Sequence, residues 1–344
     1  MKIKGRLILV FFIAIMIAAG FIGWQLFGPT INTPRGNFFY IKTGSTYQNV
    51  KDNLTHENIV NNIGVFDRVS EYLNYNRTVK PGKYKITEGM NLINLIRMLR
   101  SGNQTPVNLV ITKLRTKEDL AKKIGDNFES DLPAVTQFIN NPDSLSQYNL
   151  DTNTVLTAVI PNTYTFTWNT TPSKIFKRLY AEQQKFWNPR REAAAAALGL
   201  GKKQAYILAS IVQEESNKRE DKEKIASVYI NRMRIGMKLA ADPTIKFAMK
   251  NFGLKRIYFK HLSYPSAYNT YLNPGLPPGP ICTPSIQTID AVLNAPATDY
   301  LFFVAKPDFS GYSNFANTYE EHKRNAKAYQ QALDSIIILK QNSN

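Results

Sequence analysis

A continuous apolar segment near the N-terminus most constrains what this chain can fold into. The segment runs over Leu7–Phe27, which is 21 residues, and contains no charged side chain. A helix needs about 20 apolar residues to cross the hydrocarbon core of a bilayer. Lys2, Lys4 and Arg6 precede the segment, and the next charge is Arg35. By the positive-inside rule we expect a cytoplasmic N-terminus, with the rest of the chain on the other side of the membrane.

A cleaved signal peptide is the alternative interpretation of this segment. The apolar region of a signal peptide usually has about 7–15 residues and ends in small side chains. Here the segment is longer and ends in Trp24-Gln25-Leu26-Phe27, with an aromatic side chain suited to the membrane interface. We therefore expect an uncleaved single-pass anchor in residues 1–30 and an exported remainder, in the periplasm or outside the cell.

Charge and composition limit the classes of partner that this chain is expected to bind. Lys and Arg number 43 against 26 Asp and Glu, a formal net charge of +17, which favours an anionic partner. Export argues against nucleic acid, and no zinc-finger, RNA-recognition or helix-turn-helix signature is present. An anionic extracellular polymer or the membrane surface is the better match. The single cysteine, Cys282, excludes an intrachain disulfide, and three histidines leave little for a metal centre, so we expect none.

The chain beyond the anchor predicts an α+β architecture. Phe38–Ile41 and Val107–Thr112 have the pattern of strands, and amphipathic helices lie between them. Residues 31–113 therefore predict a small α+β module. Residues 114–200 predict a helical linker region that leads into the last part of the chain.

One predicted helix, from Lys203 to about Asn217, carries a carboxylate on its apolar face. At 100° per residue, Glu215 falls inside the apolar stripe centred near Ile211, and Glu214 falls on its flank. Apolar surroundings and a helix C-terminus both favour the neutral form of a carboxyl group, which could then act as a general acid. The plainer interpretation is a surface glutamate that pairs with Arg219 one turn later.

The segment Leu208-Ala209-Ser210-Ile211-Val212-Gln213-Glu214-Glu215-Ser216 resembles the catalytic-helix motif of the endolytic murein transglycosylases, the MltG type. Further similar segments follow in family order: Ile225–Arg232, Ala241–Thr244, Ser266–Tyr271, Gly275–Ile281, Leu301–Val304 and Phe315–His322. The second acidic position of the family motif is the catalytic glutamate, which is Glu215 here. Gln213 stands where the family usually has an acidic residue, and Pro161-Asn162-Thr163-Tyr164 stands where it has Pro-Asp-Thr-Tyr.

The resemblance implies a lyase of the bacterial inner membrane that cleaves MurNAc–GlcNAc bonds within nascent peptidoglycan strands and leaves 1,6-anhydroMurNAc ends. It implies Glu215 as both general acid and general base, with no metal and no organic cofactor, and peptidoglycan synthases as partners. It also implies that residues 31–113 are a LysM-like module and residues 201–344 the transglycosylase core. A non-catalytic wall-binding scaffold and a muramidase-type hydrolase remain as alternatives.

Five further side chains are candidates for substrate contact: Asn231, Asp242, Tyr268, Asn269 and Thr270. Tyr268, Asn269 and Thr270 offer hydroxyl and amide groups suited to acetamido sugars. The plainer interpretations are a helix N-cap for Asp242, turn packing for Tyr268 to Thr270, and a structural salt bridge at Asn231-Arg232.

Overall fold

Helices account for most of the regular structure, and the strands are short. The computed structural model describes residues 2–254 and 256–342; Met1, Lys255, Ser343 and Asn344 lie outside this description. The helices are α1 Lys2–Phe27, α2 Tyr47–His56, α3 Ile63–Tyr72, α4 Leu92–Ser101, α5 Lys117–Gly125, α6 Leu132–Asn140, α7 Pro142–Ser146, α8 Pro172–Phe186, α9 Pro189–Ala197, α10 Lys202–Glu215, α11 Arg219–Arg234, α12 Asp242–Ala248, α13 Phe259–Leu262, α14 Ile286–Leu293 and α15 Tyr319–Asn342. The strands are β1 Phe38–Ile41, β2 Gly82–Lys85, β3 Val107–Ile111, β4 Asn162–Phe166, β5 Phe302–Ala305 and β6 Ser313–Ala316. The predicted mixed α+β class is therefore confirmed.

The chain divides into two compact units. Unit 1 comprises Met1–Leu109, Asp126–Asp131 and Thr165–Thr171, and unit 2 comprises Val110–Gly125, Leu132–Tyr164 and Pro172–Asn344. β3 and β4, which form a two-stranded sheet, each contain a boundary between the units. The predicted domain boundaries after residues 113 and 200 stay a prediction.

α1 contains the apolar segment that opens the chain. Its stretch Gly5–Phe27 is long and apolar enough to cross a membrane, and none of it is buried in the protein. A long apolar helix can also be the core helix of a soluble domain, but such a helix is buried inside the protein. α1 is not buried in this way. The helix therefore fits the expected single-pass anchor.

In unit 1, helices α2 to α4 share one hydrophobic core with an antiparallel strand pair. β1 pairs with β2 so that Phe39 lies opposite Tyr84, and both side chains are fully buried. α4 contributes four buried side chains on one face: Leu92, Leu95, Ile96 and Leu99. Gly102 ends this helix at a φ of 72°, a left-handed conformation that glycine adopts without strain. The helical spacing of α4 was present in the sequence.

Unit 2 is built around α10. Every residue from Ala205 to Val212 is buried, so the helix is enclosed on all sides through that stretch. The sequence pattern predicts a single buried stripe, and the structure corrects this because α9, α11, α12 and α14 all pack against α10. A helix enclosed in this way is the centre of a core rather than its edge. The antiparallel pair of β5 and β6, with Phe303 opposite Phe315, packs against the same core.

Candidate functional site

Glu215 is the last residue of α10, two residues earlier than the predicted end of this helix. The next residue, Ser216, is extended, so the chain leaves the helix abruptly and continues into α11. The Glu215 side chain is partly buried. The Tyr229 hydroxyl on α11 donates a hydrogen bond of 2.7 Å to its Oε1 atom. The predicted pairing with Arg219 does not form, since Arg219 lies instead 3.8 Å from Glu223.

The surroundings of Glu215 raise the pKa of its carboxyl group from the usual 4.5 to about 7. The largest cause is desolvation, because protein atoms crowd the carboxyl group even though part of the side chain still meets solvent. The negative charge of Asp242 raises the pKa further, whereas the Tyr229 hydrogen bond and the positive charges of Arg232 and Lys246 lower it. The group is therefore close to half-protonated near neutral pH.

A second carboxylate lies at the first residue of α12. The Tyr271 hydroxyl donates a hydrogen bond of 2.7 Å to the Oδ1 atom of Asp242. Asp242 is exposed, and its negative charge acts on the Glu215 carboxyl group. Burial and the neighbouring Asp242 carboxylate raise the pKa of Tyr271, which keeps its hydroxyl protonated as a donor. The site thus places two carboxyl groups close enough for the charge of Asp242 to act on Glu215.

Arg232 contributes positive charge without forming an ion pair to Glu215. Its side chain is buried, and its Nε atom donates to the Leu301 carbonyl at 2.7 Å while one terminal nitrogen donates to the Leu239 carbonyl at 2.5 Å. Desolvation lowers the pKa of Arg232 from its usual value. The guanidinium therefore ties α11 to two neighbouring segments and acts on Glu215 through space.

Three depressions lie along the surface of unit 2 beside these acids. The first, about 480 Å³, is bordered by Gln213 to Lys218 and by the β5–β6 hairpin from Phe303 to Ser313. Glu214 also lines the second, about 70 Å³, and Phe247 is shared between the second and a third, of about 180 Å³. The first of these depressions, which Glu215 lines, is the largest of the three, and we call it the groove. A groove of this kind accommodates an extended ligand better than a small compact one.

The other predicted contact residues fall into two groups. Tyr268 lines the third depression, and its hydroxyl lies 3.5 Å from the Asn153 side-chain oxygen. Asn269 is fully buried, and its amide donates to the carbonyls of Leu262 and Tyr264 at 2.9 and 2.8 Å. These bonds hold the preceding loop in place, and they use both donors of the amide.

Thr270 and Asn231 are also engaged inside the protein. The Thr270 hydroxyl oxygen accepts from the backbone N–H of Ala241 at 3.0 Å, next to the start of α12. Asn231 donates to the carbonyls of Thr298 and Tyr300 at 2.7 and 3.0 Å. Both side chains therefore position segments next to the site. Among the five candidates, only Tyr268 lines one of the three depressions, whereas Asp242 is exposed and acts on Glu215 through its charge.

Tyr229 and Tyr271 are the functional candidates that sequence reasoning missed. Tyr229 follows Glu215 by fourteen residues and occupies a buried position of α11, where the apolar spacing predicts packing rather than a hydrogen bond. Tyr271 is one residue beyond the predicted trio. No local signal identifies either residue, because each partner comes from another element.

The part of the chain that the structure describes contains no group of three or more His, Cys, Asp or Glu side chains able to hold a metal ion. Gln213, which stands at the usually acidic position, lies on the side of α10 that faces α14. Its Oε1 atom accepts from the Ser285 N–H at 3.0 Å and from the Thr288 hydroxyl at 2.6 Å. An amide oxygen is sufficient for both bonds.

Comparison with known proteins found one matching family and several similar proteins. The sequence pattern of the YceG-like family matches residues 39–328. A curated relative from Streptococcus pneumoniae serotype 2 (strain D39), named endolytic murein transglycosylase, is 26% identical over 354 residues, which cover 91% of this chain and 63% of that protein. A relative of the same name from Bacillus subtilis (strain 168) is 26% identical over 304 residues, which cover 84% of this chain and 83% of that one. The chain thus spans less than two thirds of the streptococcal relative.

A solved structure is also similar. The crystal structure of a yceG-like protein from Listeria monocytogenes superposes with a TM-score of 0.56 at 25% sequence identity, and covers 83% of this chain and 97% of that one. The family match over residues 39–328 includes the segment that carries Glu215.

Proposed function

The chain belongs to the YceG-like family, and from this premise we propose that it is a membrane-anchored endolytic transglycosylase acting on peptidoglycan. The activity named for its relatives is the starting point, and one observation carries it over to this chain. That observation is the Glu215 carboxyl group, whose pKa is raised to about 7 and which borders a groove of about 480 Å³. A protonated acid in a long groove is suited to cleaving a polymer between two sugar residues.

The proposed reaction begins with proton donation. Glu215 gives its proton to the glycosidic oxygen as the bond from this oxygen to C1 of the muramoyl residue breaks, so the oxygen leaves as the 4-hydroxyl of the GlcNAc residue. The C6 hydroxyl of the same muramoyl residue attacks C1, and the Glu215 carboxylate takes its proton. The product carries a 1,6-anhydro ring, and no water is consumed. Because the nucleophile belongs to the substrate, the entropic cost of bringing it to C1 is small.

Tyr229 and Asp242 support this chemistry in the proposal. The Tyr229 hydroxyl donates its hydrogen bond to the Oε1 atom of Glu215. Among the described residues, none forms a hydrogen bond with Oε2, so this atom can carry the proton that is transferred. Asp242 adds a negative charge beside the site, favourable to the positive charge that develops at the muramoyl C1. A pair of flanking catalytic carboxylates is not required, since no water has to be activated.

The proposal also assigns a place in the cell. We propose that α1 holds the protein in the bacterial inner membrane, with its N-terminus in the cytoplasm and unit 2 outside. There it would act on nascent strands beside peptidoglycan synthases. The LysM-like character of residues 31–113 belongs to the same proposal. The length and exposure of α1 support this topology, and so does Arg6, which lies just before the apolar segment Leu7–Phe27.

The test is digestion of purified peptidoglycan by the full-length protein in detergent, followed by mass spectrometry of the released muropeptides. We expect 1,6-anhydro ends from the wild type and from Glu220→Gln, a matched change at an exposed glutamate of α11, and none from Glu215→Gln. Reducing ends in place of anhydro ends would identify a muramidase-type hydrolase. Binding to sacculi without any release would identify a wall-binding scaffold.

A further inference from the structure

The small depression lined by Glu214 carries two cations to which the proposed reaction assigns no contact with the substrate. We call it the side pocket; it has about 70 Å³ and is lined by Arg115, Lys246 and Glu214, with apolar walls from Pro243, Phe247 and Phe252. Lys246 lies one helical turn after Asp242 on α12, and its charge acts on the Glu215 carboxyl group. Glu214 lines both the side pocket and the groove that Glu215 borders, so the side pocket lies next to the proposed point of cleavage.

The single acid of the side pocket does not neutralise it. Glu214 accepts a hydrogen bond of 2.7 Å from Lys113, and that pair alone balances its charge. The guanidinium of Arg115 lies 3.8 Å from the other Glu214 oxygen, beyond hydrogen-bond distance. Among the described ion pairs of this region, Lys246 takes part in none. Two cations thus remain for an anionic group.

Arg115 is held in a position suited to recognition. Its guanidinium stacks over the ring of Phe252 at 4.8 Å from the ring centroid, while its backbone N–H donates to Asp119 at 2.9 Å. Stacking occupies the face of the guanidinium and leaves the N–H edges, which match the two oxygens of a carboxylate. The apolar walls limit competition from water. These features favour a carboxylate as the ligand.

We propose that the side pocket binds a carboxylate on the 3-O substituent of the muramoyl residue that is cleaved. This inference rests on the proposed function and names a determinant of its substrate. The substituent leaves the sugar ring two carbons from C1, so a pocket adjoining Glu215 is within its reach. The groove of about 480 Å³ has room for sugar residues, whereas 70 Å³ has room only for a side group. The carboxylate comes either from a bare lactyl group or from a stem peptide.

The experiment compares three substrates with the full-length protein. They are uncrosslinked strands with stem peptides, the same strands with every carboxyl group amidated by methylamine, and strands stripped of peptides so that the lactyl carboxylate is free. The measured quantity is the ratio of kcat/KM for a carboxylate-bearing substrate to that for the amidated one. A ratio cancels any effect of a substitution on the Glu215 pKa.

We expect a wild-type ratio of about tenfold or more, the size of one charge-assisted hydrogen bond, expressed mainly in KM. Lys246→Gln and Arg115→Gln should bring the ratio close to one. Lys246→Arg should restore it, and Lys238→Gln, at an exposed lysine that lines none of the three depressions, should leave it at the wild-type value. Preference for the stripped strands identifies the lactyl carboxylate, and preference limited to peptide-bearing strands identifies the stem peptide.

A wild-type ratio near one, or a ratio that Lys246→Gln and Arg115→Gln leave unchanged, overturns the inference. Direct binding separates this failure from failure of the proposed function. The Glu215→Gln protein should bind carboxylate-bearing strands more tightly than amidated strands in a fluorescence anisotropy titration. If this preference is present while the wild type releases no anhydro ends, the function is wrong and the side pocket is right.

Discussion

Replacing Glu215 by glutamine tests the physical state of the site independently of any substrate. Glutamine keeps the size of the side chain and its ability to accept from Tyr229, and it removes the ionisable group. The wild-type pKa is about 7 in the folded protein and close to 4.5 when the chain is unfolded. Below pH 4.5 the Glu215 carboxyl group is neutral in both the folded and the unfolded protein. The free energy of unfolding is then highest, because no charge has to be buried on folding. This advantage is lost as the pH rises through 7.

The magnitude follows from the two pKa values. At about 1.4 kcal/mol for each pH unit between them, ionising Glu215 in the folded protein costs at most about 3 kcal/mol. The glutamine variant has no such cost. The difference in opening free energy between Glu215→Gln and the wild type should therefore grow by up to about 3 kcal/mol between pH 4.5 and pH 8, in favour of the variant.

Hydrogen exchange followed by mass spectrometry is the assay, because peptides from α10 report opening of the helix that carries the substitution. The protein is the full-length chain in detergent, measured at pH 5, 6, 7 and 8 with exchange times corrected for the intrinsic rate at each pH. Glu220→Gln provides the control for loss of one exposed carboxylate. Equal pH dependence of α10 protection in the wild type and in Glu215→Gln would refute the argument that Glu215 is desolvated.

Three further predictions concern the neighbours of Glu215 and the core beneath it. Asp242→Asn should lower the Glu215 pKa and move the alkaline limb of the kcat/KM profile to lower pH by about one unit or less, which a pH series of anhydro-end release measures. Tyr229→Phe should move the same limb to higher pH and lower kcat about tenfold, since the hydrogen bond that favours the carboxylate and orients it is lost. Ser210→Ala should lower the free energy of unfolding by about 1–3 kcal/mol in urea denaturation, because the buried N–H of Ile281 loses its acceptor at 3.0 Å.

Local sequence patterns were sufficient to predict several helices and strands and to place Glu215 on the apolar face of a helix. The strand β3 and the helix α4 follow from alternation and from helical spacing, and both have the predicted type. Glu215 was identified because apolar spacing continues up to the end of α10. The pKa direction followed from the same observation, since a carboxyl group on a buried face loses its hydration.

Local patterns could not identify the hydrogen-bond partners of the polar site residues. Hydrogen bonds between segments far apart in sequence do not affect the spacing of apolar residues within one segment. Asn269 and Thr270 have the chemistry of sugar ligands, but the fold encloses them, and burial requires their polar groups to bond to nearby backbone. Tyr229 shows the reverse. Its position in α11 predicts a packing role, but the fold places a carboxyl oxygen of Glu215 at 2.7 Å from its hydroxyl. Complete enclosure of α10 likewise depends on four other helices, none of which its own periodicity describes.

The raised pKa explains how one carboxyl group could serve in both proton transfers. At pH 7 a carboxyl group with a pKa of 4.5 is protonated in about 0.3% of molecules, whereas one with a pKa of about 7 is protonated in about half, a gain of roughly 160-fold in the competent acid. The same pKa leaves the conjugate base strong enough to accept a hydroxyl proton in the second step. Arg232 and Lys246 set the limit, because their positive charges keep the pKa from rising so far that the base would never form at neutral pH. Desolvation and nearby cations thus act in opposite directions on Glu215, and their balance sets a pKa that suits a single residue used twice.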